Sequence, residues 1–168
     1  MTDTDKPVIW HLHPLRVRYQ ETDQMGVVFH GNYLTWFEIG RTELVRYLGM
    51  SYQAIEKAGM LLPVVDLACS YRSPARYDDW VVICTTVEQF SSIRISFRSE
   101  VRRINEMTSL PKAWLGEEPP GELLVKGETH HVWVNAEWKP SRVEKAIPEL
   151  YERLKTLAAG TLPIEGEK

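Results

Sequence analysis

The segment from Asn32 to Leu48 constrains the fold more than any other part of the chain. Tyr33, Phe37, Leu44 and Tyr47 recur at helical spacing, Leu34, Val45 and Leu48 lie beside them, and Trp36 and Ile39 widen the apolar surface. A surface helix carries one apolar stripe, so a helix this apolar around its girth has to be wrapped by other structure. Asn32 reads as its N-cap and Gly49 as its stop. The wrapping is supplied downstream. Val65, Leu67, Cys69 and Tyr71 alternate with Asp66, Ala68, Ser70 and Arg72, and Trp80 to Val87 is β-branched and apolar. In 93–104, Ile95, Phe97 and Val101 lie opposite Arg94, Arg98 and Arg102, and 123–138 reads as one long final strand. Residues 15–19 form a first strand, and Gln20 to Gly31 a polar loop. Residues 51–58 give a short second helix, and 143–158 a C-terminal helix after Pro140-Ser141. A run of strands after one long helix argues for an α+β architecture with an antiparallel sheet curled around that helix, not a βαβ fold.

A chain of 168 residues is one domain long. The expectation is a single domain over 1–168 with its core at about 14–140 and loose ends at 1–10 and 160–168. Residues 105–120 form a connection longer than most. The net charge of −3 supplies no drive toward nucleic acid or anionic membrane. No run reaches the length of a membrane span, and no apolar stretch follows the polar N-terminus as in a signal peptide, so the cytoplasm is the expected location. The two cysteines, Cys69 and Cys84, match no metal or redox spacing and read as buried reduced thiols.

Chemistry concentrates in Tyr19-Gln-Glu-Thr-Asp23-Gln-Met-Gly26-Val-Val-Phe-His30-Gly31-Asn32-Tyr33. Taken singly, Glu21 and Asp23 look like solvated loop charges and His30 like a cap or a packed ring. Together they have a usable logic. A helix starting near His30–Asn32 presents unpaired backbone N–H groups and a positive dipole end. Gly31 lets a ligand approach the backbone. Those N–H groups can hold the oxyanion that develops on an acyl carbonyl. A carboxylate turned back by Gly26 can face the same carbonyl, as a base toward water or as a nucleophile. A thioester suits so sparse a site, because a thiolate leaves without strong acid help.

The run Tyr-x-x-Thr-Asp-x-x-Gly-Val-Val-x-His-x-x-Tyr, continuing into Trp36-Phe37-Glu38-x-Gly40-Arg41-Thr42-Glu43, resembles the hotdog-fold acyl-CoA thioesterases of the 4-hydroxybenzoyl-CoA thioesterase type. It is most similar to the branch containing the Tol-Pal-associated thioesterases. Tyr71-Arg-Ser-Pro74-Ala75-Arg76-Tyr-Asp78-Asp79 resembles the strand and turn after the helix in that branch. The resemblance covers residues 14–104 well and the last strand more loosely. It implies a five-stranded antiparallel sheet around the helix, paired as a homodimer that assembles to a homotetramer, and hydrolysis of acyl-CoA without metal or other cofactor. Asp23 matches the catalytic carboxylate, Tyr19 and His30 its companions, and the backbone N–H near His30 and Gly31 the oxyanion position. The 105–126 region is longer than in compact members.

Arg94, Arg98 and Arg102 share one strand face. They are either a salt-bridged surface or, with Arg76 and Arg72, contacts for the coenzyme A phosphates. Glu38 fits a pair with Arg41 at i+3 better than catalysis. His11-x-His13 and His130-His131 offer no metal set, since neighbouring strand residues face opposite ways. Two other functions remain open. A hotdog hydratase or dehydratase would resemble Asp-x4-His, whereas six residues separate Asp23 from His30. A non-catalytic acyl-CoA-binding protein would have no need of the Asp23, His30 and Gly31 set.

Overall fold

The architecture follows from one close packing, that of helix α1 (Asn32–Tyr47) on a sheet of six antiparallel strands ordered β2-β6-β4-β3-β1-β5. The computed structural model describes residues 6–105 and 109–162. The strands are β1 (Ile9–Arg16), β2 (Val64–Tyr71), β3 (Trp80–Phe90), β4 (Arg94–Ile104), β5 (Ala113–Leu115) and β6 (Glu122–Val132). Helix α2 (Tyr52–Lys57) follows α1, with the Ser51 hydroxyl accepting from Ala54 N. Two glycines let α1 lie close. A Cβ on Gly40 would sit 2.4 Å from Thr85 Oγ1, and one on Gly127 would sit 2.5 Å from Phe37 Cε2.

The inner face of the sheet divides into two apolar clusters along α1. At the end nearer its start, Tyr33, Trp36 and Phe37 pack with Val81, Ile83, Val101 and Leu124. At the other end, Leu44, Val45 and Leu48 meet Phe97, Trp133 and three leucines of the C-terminal helix. The outer face carries a smaller cluster, Trp10, Leu12, Val82 and Cys84, flanked by Leu110 and Trp114 of the long connection.

Several expectations need correction. The sheet has six strands, not five, because the long connection pairs Ala113–Leu115 with Ile9–His11 of β1 and covers that end of what would be an open edge. The first strand starts at Ile9 rather than 15, and Ile9 and Trp10 are buried, so the last two residues of the expected loose end 1–10 belong to the core. Residues 1–5 and 163–168 of the expected ends lie outside the described residues. Gly31, not Asn32, is the N-cap; the Asn32 amide turns back to donate to Glu21 O at 2.8 Å. The last strand stops at Val132, and 133–140 form a turn with Trp138 at φ 60°. The terminal helix is two, α3 (Val143–Ala146) and α4 (Pro148–Ala158), because Pro148 excludes Ile147 from helical backbone (φ −140°, ψ 74°). Leu150, Leu154 and Leu157 of α4 are buried, which carries the core past the expected limit near 140.

Candidate active site

The loop between β1 and α1 is held by its own backbone. After a 3-10 turn at Tyr19–Glu21, Asp23 N donates to Val27 O and Gly26 N donates back to Asp23 O, both at 2.9 Å. Gly26 takes φ +75°, which side chains rarely adopt, and this closes the turn. Asp23 Oδ1 accepts from Met25 N at 2.9 Å, while among the described residues Oδ2 accepts nothing. The carboxylate is therefore oriented by one N–H and keeps one oxygen open.

The loop is tied to the turn after β2. Val28 N donates to Ala75 O at 2.8 Å, and Ala75 N donates to the hydroxyl of Tyr33 at 3.0 Å. The Tyr71 hydroxyl donates to His30 O at 3.1 Å. Between these segments lies a mostly apolar cavity of about 240 Å³ lined by Asp23, His30, Tyr33, Tyr71, Arg72 and Pro74, among others. Its aromatic groups meet edge to face, Tyr33 on Tyr71 at 5.7 Å and His30 on Tyr71 at 6.4 Å between centroids. Burial pushes the Tyr33 phenol above its ordinary value, so it stays a neutral acceptor for Ala75 N.

The structure thus brings Asp23 and His30 to one cavity at the start of α1. Among the described residues the backbone N–H groups of His30 and Gly31 meet no backbone acceptor. Gly31 itself has an ordinary helical φ of −66°, so no left-handed conformation calls for glycine there. Its missing Cβ makes room for the Phe29 ring, which would stand 2.9 Å away. Tyr19 does not line the cavity; its ring is exposed and meets Tyr77 edge-on at 5.8 Å.

Of the five arginines weighed for the coenzyme A phosphates, four lie elsewhere. Arg94 lines a different cavity with Asp66, Gln89 and His130. Arg98 lies over the Trp10 ring at 4.7 Å and 3.9 Å from Glu88. Arg102 is buried, bound to Glu100 at 2.6 Å and to Gly121 O at 2.9 Å. Arg76 is exposed, its backbone N–H on Asp79 at 2.9 Å. The cation on the Asp23 cavity is Arg72, whose place was signalled by the Tyr71-Arg-Ser-Pro74 run. Glu38 binds Arg41 Nη2 through both oxygens at 2.5 Å, the pair expected from their spacing.

Comparison with known proteins assigns the family. The sequence model of the thioesterase superfamily matches residues 25–109. The chain is 37% identical over 145 residues to a putative acyl-CoA thioesterase of Bacillus subtilis, YneP, an alignment spanning 84% of this chain and 94% of that one. The chain belongs to the thioesterase superfamily. The acyl-CoA thioesterase YbgC of Haemophilus influenzae is 36% identical over 97 residues, 57% of this chain and 71% of its own length. The solved structure of a DHNA-CoA thioesterase from Staphylococcus aureus superposes with a TM-score of 0.73 at 32% identity, covering 88% of this chain and 92% of that one. The α+β hotdog architecture of this thioesterase is shared with it.

Proposed function

We propose that this thioesterase hydrolyses acyl-CoA to free acid and coenzyme A at the cavity beside Asp23. The observation that carries the reading is that Asp23, with one oxygen that accepts no hydrogen bond among the described residues, and His30, at the start of α1, line a single, mostly apolar cavity, with Gly31 next in the chain. In this reading the substrate carbonyl oxygen is held by the N–H groups of His30 and Gly31. Asp23 takes a proton from water as the water oxygen bonds to the carbonyl carbon. The carbon–sulfur bond then breaks and the thiolate departs. If Asp23 attacks the carbonyl itself, an acyl–aspartyl anhydride forms first, and water hydrolyses it. His30 supports the carbonyl end of the site, and Tyr19 the outer rim. The spacing of Tyr19, Asp23 and His30 supports placing the chain with the Tol-Pal-associated branch. Among the candidates for the coenzyme A phosphates, Arg72, Arg76, Arg94, Arg98 and Arg102, Arg72 is favoured by its place on the cavity.

We extend the reading to a homodimer that assembles to a homotetramer, working in the cytoplasm. β2 ends the sheet, and among the described residues nothing pairs with its outer edge. Val64, Val65, Leu67 and Tyr71 of that strand are exposed, and Tyr71 also lines the cavity, so a partner on this edge would stand beside the site. Among the described residues no helix is long and apolar enough to cross a membrane.

The test is thiol release from short, long and aromatic acyl-CoAs by wild type and Asp23→Asn. Turnover should fall by roughly 10²–10⁴-fold, the usual contribution of a positioned acid–base group. Near wild-type turnover in the variant, or hydration of an acyl-CoA without thiol release, sinks the proposal.

A further inference from the structure

We infer that Glu21 is a positioning residue, a buried carboxylate that fixes Asp23 and the start of α1 in register with each other; the inference rests on the reading of Asp23 given above. Glu21 does not line the cavity and is 6% exposed, two residues from a carboxylate that keeps an open oxygen. Three donors converge on its two oxygens. Arg18 N reaches Oε2 at 2.8 Å, Arg18 Nη2 reaches Oε1 at 2.9 Å, and the Trp36 indole N–H reaches Oε1 at 3.0 Å. Its backbone carbonyl accepts two more, from Phe29 N at 2.9 Å and the Asn32 amide at 2.8 Å.

These partners are the parts whose relative placement defines the site. Arg18 stands where β1 hands over to the loop. Trp36 is fully buried one turn into α1. Phe29 and Asn32 flank His30 and Gly31. One residue thus joins the strand exit, the helix and the segment bearing the candidate oxyanion N–H groups, and Asp23 follows it by a single intervening residue. A buried carboxylate persists when its bonds outweigh its desolvation. Burial raises the Glu21 carboxyl pKa, but the bonds from Arg18 and Trp36 outweigh it and hold the group below the ordinary glutamate value. The charge is therefore kept at neutral pH, where all three donors need an acceptor.

Glu21→Gln keeps the size but replaces one acceptor oxygen with an NH₂, which faces a donor it cannot satisfy. The loop must then shift against α1. A displacement of about 1 Å in a reacting group lowers turnover by as much as ~100-fold. The expected result is kcat down about 10- to 100-fold with KM for acyl-CoA within about threefold, because binding surfaces outside the cavity are untouched. Arg18→Ala, a change at an exposed side chain that leaves Arg18 N and Trp36 in place, should show the same kind of kcat effect, smaller in size. The decisive readout is the double variant. If Glu21 acts through Asp23, Glu21→Gln lowers the residual turnover of Asp23→Asn no further. A merely structural role lowers it by the same factor in either background.

Wild-type kcat in Glu21→Gln, with Asp23→Asn inactive, overturns the positioning role and leaves the Asp23 reading intact. Fully additive losses overturn it as well. Wild-type turnover in Asp23→Asn overturns both. Should Glu21→Gln fail to fold, unchanged kcat in Arg18→Ala overturns the inference.

Discussion

Asp23 and Glu21 sit two residues apart in one loop, and the chain uses their carboxylates in opposite ways. Glu21 is buried and bound by three donors, whereas Asp23 lines the cavity and is held by one N–H, its other oxygen accepting nothing among the described residues. Composition treats the two alike, and only the fold separates them. Gly40 is the residue-scale counterpart in the core. Intrinsic helix propensity favours alanine over glycine by up to ~1 kcal/mol. Here an added methyl would meet Thr85 and Ile83 of β3 well inside contact distance. Overpacking of this kind costs about 1–3 kcal/mol. Gly40→Ala should therefore lower the urea midpoint, and a raised midpoint would show that α1 can move off the sheet.

At the scale of elements, α4 completes the core although it follows the last strand. Leu150, Leu154 and Leu157 recur on one face and join the cluster of Leu44, Phe97 and Trp133. Leu154→Ala should cost about 2–5 kcal/mol, read as a fall in the unfolding midpoint. A loss below about 1 kcal/mol would mean that the helix rests on the domain without supporting it. The long connection serves a second element-level purpose. β5 pairs with β1 and brings Trp114 over Trp10 and Leu12, so one end of an otherwise open strand edge and an outer-face apolar cluster are covered together.

Across the whole molecule, two features decide behaviour in solution. The first is the β2 edge, unpaired among the described residues and proposed above as the assembly surface. Leu67→Arg adds a charge to its exposed apolar surface and should shift sedimentation toward the monomer, with thiol release falling in parallel. An unchanged sedimentation coefficient would count against assembly through β2. The second is a pair of buried imidazoles. Burial first, then the Arg41 cation, pushes His131 down to about 4; burial first, then His13 and Lys112, does the same to His11. Arg41 is a donor only, so His131 Nδ1 accepts its bond at 2.9 Å and Nε2–H points to Thr129 Oγ1, which fits a neutral ring. The unfolded chain protonates these histidines near 6.5 and the folded one near 4, so between those values unfolding takes up protons. Stability is full above pH 6.5 and falls as pH drops toward 4, by up to ~3 kcal/mol per histidine. The urea midpoint at pH 5 should lie clearly below that at pH 7.5; equal midpoints would mean that the imidazoles titrate as if exposed.

The sequence alone determined the fold class and the central helix with the main strands after it, because the apolar girth of α1 and the period-two strands are local patterns. It also marked the Asp23–His30 loop, since glycine punctuation and a helix start can be read without partners. Even the Glu38–Arg41 pair was legible, as neighbours one turn apart. Only the tertiary structure decided which of two loop carboxylates is tied down, which arginine stands on the cavity, and that Trp10 and α4 belong to the core. These depend largely on contacts between residues distant in sequence: Trp36 with Glu21, Tyr71 with His30, Trp10 with Val82, and the α4 leucines with Leu44 and Phe97. A side chain's burial and partners are set by what the sheet brings across from elsewhere. No window of local sequence contains that information.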